Sequence, residues 1–224
     1  MPDKILITGC GLGATHYTAR LLRACGLDVG HERIRGDGAV SWMHATWLDP
    51  VAVENDLTCG RWQWRFFGDP PGTDEFDLVL RQTRNPRKVA TSIGMTASQK
   101  SWVYAKRALE ARLDVDFPWP PKGTRECRVR AGVAYTYWWY IYAGLHASWT
   151  YRVENMPRVL PCILDAAGYD VGPDEQKRAL DEVSTDAGSR QDDRGYDYWT
   201  WGEIEGVRWG RELHAMSRAF GYEE

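Results

Sequence analysis

An apolar run that ends in a cation and turns at once into a helix constrains this 224-residue chain more than any other segment. Phe76-Asp77-Leu78-Val79-Leu80 is typical of a buried strand within residues 76–83, and Arg84-Asn85-Pro86 follows directly. Asn85 is a suitable N-cap, and Pro86 suits the first helical position, where a missing N–H group costs nothing. The segment therefore predicts a strand–turn–helix unit with Arg84 at the carboxyl end of its strand, the edge where open α/β sheets bind ligands.

A second strand–turn–helix unit lies near the start of the sequence. Lys4-Ile5-Leu6-Ile7-Thr8 is a continuous apolar run, the pattern of a strand buried on both faces of a parallel sheet. The glycine-rich turn Gly9-Cys10-Gly11-Leu12-Gly13-Ala14 follows it. Apolar residues at helical spacing then predict a helix from Thr15 to Cys25, which Gly26 ends as a C-terminal cap residue.

The remaining segments continue the alternation of strands and helices. We expect a short strand around residues 27–29, an irregular insert rich in Gly and Trp at about 33–75, a helix on residues 86–97, helices near 99–113 and 130–147, a strand at 149–153, helices near 156–167 and 173–184, a polar loop at 185–197, and a last helix near 203–220. This alternation predicts an α/β fold of three layers, with a central parallel sheet of four or five strands flanked by helices. The length suits a single domain over residues 1–224.

Composition limits the partners that the chain can have. The net charge of −3 argues against broad nucleic-acid binding. Basic residues outnumber acidic ones over residues 100–152, which suits an anionic small ligand. The five cysteines are scattered, with no C-x-x-C and no His pair at metal spacing. With no signal peptide and no apolar run long enough to span a bilayer, we expect a cytoplasmic protein with a small-molecule partner, no metal and no membrane association.

The glycine turn allows a dinucleotide interpretation. Gly9-x-Gly11-x-x-Ala14 after a strand matches the NAD-binding fingerprint, and Glu32 lies about 20 residues on, where a ribose-binding carboxylate belongs. Against it, the second strand is short, and the insert does not supply the further regular βαβ units of such a domain. A nucleoside-triphosphate P-loop is less favoured, since no G-x-x-x-x-G-K-[ST] is present. An NAD(P)-binding oxidoreductase or epimerase remains an alternative.

The glycine turn and the Arg84 segment together resemble sulfotransferases that use 3′-phosphoadenosine 5′-phosphosulfate (PAPS). The family's first motif, G-x-G/P-[RK]-S-G-T-T, wraps the 5′-phosphosulfate and stands here as residues 9–16. Its second motif, R-[ND]-P-x-x-x-x-x-S, holds the 3′-phosphate and stands here as residues 84–92. Gly30-His31-Glu32 is similar to the G-E-E of tyrosylprotein sulfotransferases, and residues 151–156 to the late R-[YV]-E-[DN]-[LM] strand end. The resemblance implies a P-loop-like α/β fold that transfers a sulfuryl group and releases 3′-phosphoadenosine 5′-phosphate (PAP).

The resemblance also implies roles for individual residues. It assigns the 5′-phosphosulfate to Gly11, Leu12, Gly13, Ala14, Thr15 and His16. It assigns the 3′-phosphate to Arg84 and Ser92. Arg190 and Arg194 correspond to the family's late basic loop, which closes over the nucleotide. Glu32 is the expected general base for the acceptor, with His31 as the alternative base.

Leu12 departs from the family pattern, because the family has a basic residue there that stabilises the leaving oxygen. Leucine cannot do this, so an active enzyme needs another cation, and the candidates are His16, Arg20, Arg61, Arg65 and Lys100. A non-catalytic relative that binds PAP or PAPS without turnover is the other outcome. The acceptor is expected to be a small hydroxyl or amine compound with an aromatic or apolar body, contacted by tryptophans of the insert.

Overall fold

The computed structural model describes residues 4–48, 76–96, 99–118, 123–183 and 197–222. Within these residues the chain forms one five-stranded sheet in the order β2-β3-β1-β4-β5, and every neighbouring pair is parallel. The strands are β1 Ile5–Thr8, β2 Val29–His31, β3 Gly38–Val40, β4 Leu78–Thr83 and β5 Trp149–Arg152. The predicted fold class, an α/β fold with a central parallel sheet of four or five strands, is confirmed.

Helices follow most of the strands. They are α1 Thr15–Ala24, α2 Pro86–Thr96, α3 Gln99–Leu113, α4 Arg125–Gly144, α5 Met156–Ala166, α6 Pro173–Glu182, α7 Trp201–Glu205 and α8 Gly210–Ala219, with 3₁₀ turns at Met43–Leu48 and Val153–Asn155. In the part of the chain that the structure describes, no helix combines the length and apolarity needed to cross a bilayer.

The central strand β1 is buried on both faces, as its unbroken apolar sequence predicts. Ile5 and Ile7 belong to a core formed with α1 and α5, whereas Leu6 packs with Ala39 and Val79 on the other side of the sheet. All three β1 side chains have no exposed surface, and each stabilises the fold by about 1.5–3 kcal/mol relative to an exposed position. The sheet's carboxyl edge is therefore fixed by a rigid central strand.

The amino-terminal half of the sheet differs from the sequence-based expectation in two places. β2 occupies Val29–His31 and not residues 27–29, so Gly30 and His31 lie within the strand. β3 forms inside the insert that we expected to be irregular. Its three residues carry no apolar alternation, and it forms because Gly38, at φ 123°, fits against β1, where a Cβ atom would come 1.8 Å from the Ile5 carbonyl oxygen.

Two helix boundaries also differ from the prediction. α4 begins at Arg125 and not near residue 130, because the Thr124 hydroxyl accepts a hydrogen bond from the Cys127 N–H group and caps the helix earlier. The expected last helix near 203–220 is two helices. Trp209 adopts a left-handed φ of 65°, and the chain packs so closely that a Cβ at Gly210 would lie 1.7 Å from the Ile204 carbonyl oxygen.

The sheet order bears on the dinucleotide interpretation. In a dinucleotide-binding domain the second strand lies beside the first, so that its terminal acid reaches the ribose. Here β3 lies between β1 and β2. Glu32, which follows β2, is therefore displaced by one strand from the position that the fingerprint needs.

The close approach of β3 to β1 gives a stability prediction. Gly38→Ala should lower the free energy of unfolding by at least about 2 kcal/mol more than Gly26→Ala, because both glycines have positive φ but only Gly38 meets backbone atoms. Gly26, at φ 94°, has no atom within 4 Å of an added Cβ, so its substitution reports the backbone strain alone. Urea unfolding of the two variants measures the difference, and equal losses would show that the β1–β3 contact is not limiting.

Candidate functional site

Residues 9–14, the glycine loop, connect β1 to α1 through an alternating backbone. Leu12 and Ala14 have φ values of 61° and 69°, on either side of Gly13, whose N–H group donates to the Cys10 carbonyl oxygen at 2.9 Å. Such alternation points successive N–H groups into one concavity that binds anions. The N-cap residue of α1 is Ala14, which has no side-chain acceptor to cap the helix, and the amino-terminal end of α1 is directed at this concavity.

Gln82, on β4, holds the glycine loop in place. Its side-chain amide donates to the Gly13 carbonyl oxygen at 2.6 Å, and its amide oxygen accepts from the Thr18 hydroxyl at 2.7 Å. A Cβ at Gly9 would come 2.6 Å from the Gln82 carbonyl oxygen, so only glycine allows β1 to leave the sheet at this point. The loop is thus attached directly to the strand that ends in Arg84.

Residues 84–86, the Arg84 turn, have the predicted geometry. The Asn85 side chain accepts from the N–H groups of Arg87 and Lys88, and Pro86 begins α2. The Arg84 guanidinium lies 3.4 Å (Nη1) from the Leu12 carbonyl oxygen. The two motifs therefore meet at the carboxyl edges of adjacent strands.

The backbone of the Arg84 turn is fixed by two further side chains. The Tyr140 hydroxyl accepts from the Arg84 N–H group at 3.1 Å and donates to the Arg84 carbonyl oxygen at 2.9 Å. Glu154 accepts from the Asn85 N–H group at 3.1 Å. Tyr140 was not foreseen, because nothing in its local sequence indicates a contact with a turn so far away in the chain.

Ser92 is the other residue expected at the 3′-phosphate, and Lys88 lies on the same helix. Ser92 lies on α2 and is 5% exposed. The Lys88 ammonium lies 5.5 Å from the centre of the Tyr198 ring, so part of its charge is directed at an aromatic face. Arg190 and Arg194 lie outside the described residues, as do Arg61 and Arg65.

Glu32 is largely buried beside the glycine loop, with 12% of its side chain exposed. Its carboxylate accepts from the Ser41 hydroxyl at 2.5 Å, and from the Thr15 hydroxyl and the backbone N–H groups of Trp42 and Met43. Burial raises the pKa of Glu32 from 4.5 to about 7, although these hydrogen bonds act in the opposite direction. Its backbone is left-handed, with φ 56°, which is costly for a residue with a Cβ.

His31 contacts this carboxylate, and His16 and His44 lie near His31. His31 Nε2 lies 3.1 Å from the Thr15 hydroxyl oxygen and 3.5 Å from Glu32 Oε1, and the His16 ring meets the His31 ring edge-on. Burial lowers the pKa of His31 to about 4, with the charge of His16 as the next cause. Burial likewise lowers the pKa of His44 to about 3. At neutral pH His31 is therefore uncharged, and its contact with Glu32 is not an ion pair.

Ser41 and Trp42 complete the site. Trp42 is one of the insert tryptophans expected to contact the acceptor, whereas Ser41 was not predicted. Ser41 is fully buried, and its hydroxyl also accepts from the N–H groups of Met43 and His44. The Trp42 ring lies 3.6 Å from where a Cβ on Gly11 would be, and it packs edge-on against Tyr104 and Trp139. The Trp42 ring therefore forms an apolar wall beside the glycine loop. Ser41 could not be placed from the sequence because β3, the strand that it directly follows, was not predicted.

The chain was also compared with known proteins. Neither the models of known protein families nor the curated proteins gave a match.

The buried carboxyl gives a pH-dependent stability prediction. Because the pKa of Glu32 is about 7 when folded and near 4.5 when unfolded, the unfolded chain holds fewer protons between these values, and stability falls as pH rises through them. Relative to Glu32→Gln, the wild type should therefore lose about 2–3 kcal/mol of unfolding free energy between pH 5 and pH 8. The lowered pKa values of His31 and His44 have the opposite effect, but they are common to both proteins and cancel in the difference.

Urea unfolding of both proteins at the two pH values measures this loss. Glu182→Gln, which changes an exposed carboxyl group on α6, is the matched control and should differ from the wild type equally at both pH values. A difference between wild type and Glu32→Gln that does not change with pH would contradict the raised pKa.

Proposed function

We propose that the protein is a PAPS-dependent sulfotransferase that transfers a sulfuryl group to a hydroxyl or amine of a small, apolar or aromatic acceptor. The observation that carries this proposal is the meeting of three separate sequence segments at one edge of the sheet. The glycine loop touches the Arg84 turn through Leu12, and Thr15, which directly follows the loop at the start of α1, donates a hydrogen bond to Glu32. These are the segments that resemble the family's phosphosulfate, 3′-phosphate and base motifs.

The donor side of this site suits two anionic groups. The uncapped α1 start and the alternating glycine loop offer backbone N–H groups to a 5′-phosphosulfate. Arg84 provides a guanidinium at the end of the adjacent strand for a 3′-phosphate. When bound, PAPS supplies the sulfuryl group, and PAP is the leaving product.

The acceptor side needs a base, and Glu32 is better suited than His31. A carboxylate with a pKa of about 7 is partly ionised at neutral pH and still basic enough to take a proton from the acceptor as its oxygen or nitrogen bonds to sulfur. His31, with a pKa of about 4, is a much weaker base. The Trp42 wall gives an apolar acceptor body a surface to pack against.

Leu12 is the reason to keep a non-catalytic relative as a second candidate. Its side chain is 42% exposed at the position where the family has its cation. Among the described replacements, His16 is exposed and lies on the side of α1 that contacts His31, so we assign the leaving-group role to His16. In a non-catalytic relative the nucleotide would bind at the same residues, but no sulfate would be transferred.

Nucleotide binding tests the donor site. PAP should bind with micromolar affinity and NAD should not, and Arg84→Ala should weaken PAP by about 2–3 kcal/mol because one charge-assisted contact is lost. Arg211→Ala, which removes an exposed guanidinium on α8, is the control and should leave PAP affinity unchanged. Isothermal titration calorimetry measures both nucleotides. Tight NAD binding with no response to PAP would favour an oxidoreductase or epimerase.

Turnover tests the base. Glu32→Gln should reduce sulfate transfer from PAPS to a panel of phenols by about 10²–10⁴-fold and leave PAP affinity nearly unchanged, since a base acts on the acceptor and not on the donor. His31→Ala should retain far more activity than Glu32→Gln. An active Glu32→Gln with an inactive His31→Ala would instead make His31 the base.

An inactive wild type that binds PAP would identify the non-catalytic relative. Leu12→Arg then distinguishes an impaired glycine loop from a lost acceptor site. The restored cation should raise the transfer rate if the acceptor site is intact and should have no effect if that site is lost.

A further inference from the structure

A groove of about 640 Å³ runs along β5, the last strand of the sheet. All four residues of β5 line it, with α5 on one side and the end of α8 on the other. Its volume lies within the range of small-molecule sites. The groove uses none of the residues to which the resemblance assigns a ligand or the base, although Tyr151, Arg152 and Asn155 belong to the segment that resembles the family's late strand end.

The groove is also separate from that site in space. β2, which leads to Glu32, and β5 are four strand steps apart, or roughly 19 Å at the usual spacing of neighbouring strands. Thr83 lines the groove one residue before Arg84, but the Arg84 guanidinium is directed toward β1, where it meets the Leu12 carbonyl oxygen. A small acceptor at Glu32 cannot reach the groove.

Three guanidinium groups line the groove, from Arg81, Arg152 and Arg158, and no carboxylate is present among the described residues that line it. We call it the arginine groove. Three cations in one concave surface, with no carboxylate among its described lining residues, create a positive potential that favours an anionic ligand.

The Arg81 side chain is held in place by its neighbours. Its Nε donates to the Thr150 hydroxyl at 2.9 Å, its Nη1 donates to the Tyr140 carbonyl oxygen at 2.9 Å, and its guanidinium lies 5.2 Å from the centre of the Phe220 ring. A Cβ at Gly144 would lie 2.1 Å from Nη1, so the helix opposite leaves room for this group. Burial lowers the pKa of Arg81, as expected for a cation held by neutral partners only.

Arg152 and Arg158 complete the cationic lining. Arg152 donates through Nη1 to the Gly221 carbonyl oxygen and lies 4.2 Å from the centre of the Tyr222 ring. Its Nε is buried and has no hydrogen-bond acceptor within the described part of the chain. Arg158 projects from α5 and is exposed. A buried donor without an acceptor costs free energy that an anionic ligand would recover.

We propose that the arginine groove is a second ligand site, which binds a small organic anion with a carboxylate or phosphate group on an apolar body. The three guanidinium groups bind the anionic group, and Phe220, Val159 and Trp149 contact the apolar body. This site does not depend on the proposed sulfotransferase activity.

Phenyl phosphate is the test probe, with benzyl alcohol as its neutral counterpart, in calorimetric titrations of the full chain. Phenyl phosphate should bind the wild type, and Arg158→Ala should weaken it by about 10- to 100-fold, the usual result of losing a charge-assisted contact. Cys162→Trp should abolish binding by filling the groove from an exposed position on α5, without removing a charge. Benzyl alcohol should not bind measurably.

Two matched variants assign the binding to the groove. Arg211→Ala should bind phenyl phosphate as the wild type does, because its exposed guanidinium lies outside the groove. Arg84→Ala should also bind the probe normally while binding PAP more weakly than the wild type does. The proposals for the two sites can therefore be contradicted independently, since the absence of PAP binding would leave the phenyl phosphate result unchanged.

Several results would overturn the proposal. They are no binding of phenyl phosphate, equal binding of benzyl alcohol, equal weakening by Arg211→Ala, and retention of the probe in both Arg158→Ala and Cys162→Trp. Concentration-dependent dimerisation in analytical ultracentrifugation that Arg158→Glu abolishes would identify the groove as an interface between two copies of the chain.

Discussion

The buried side-chain amide of Gln82 is the contact on which the arrangement of the site depends. It connects four segments, because it bonds to the Gly13 carbonyl oxygen, the Thr18 hydroxyl and, at 3.3 Å, the Tyr151 hydroxyl. A buried amide that lost these partners would be left unsatisfied at a cost of about 1–3 kcal/mol. Since Arg84 follows two residues later on the same chain, the side chain that fixes the glycine loop also fixes how far the loop lies from that cation.

The two halves of the sheet's carboxyl edge differ in the charge that they present. Near β1 and β4 it presents N–H groups and the Arg84 guanidinium, both suited to anions. Near β2 and β3 it presents a buried carboxyl group whose pKa of about 7 leaves it half protonated at neutral pH. A negative group bound at the glycine loop would raise that pKa further, so the charge of a ligand and the protonation of Glu32 are coupled. Burial keeps that coupling strong, because solvent screening is weak there.

The sequence predicted those features of the structure that depend only on residues close together in the chain. The cap at Asn85, the helix start at Pro86 and the position of Arg84 at a strand end depend only on neighbouring residues, and the structure has them as expected. β3 could not be predicted in this way, because its three residues form a strand only through pairing with distant β1 and β2. Ser41 was missed with it. The groove beside β5 was likewise invisible in the sequence, since its arginines come from β4, β5 and α5 and meet only in the fold.

Glu32 combines two costs at one residue, a left-handed backbone and a carboxyl group held away from water. A glycine at this position would relieve both, because it adopts positive φ freely and has no charge to bury. If that relief exceeds the loss of the hydrogen bonds that Glu32 accepts, a laboratory selection for heat resistance alone would favour replacing the residue that we propose as the base. Variants recovered from such a selection should be sequenced at codon 32 before their loss of activity is attributed to rigidity.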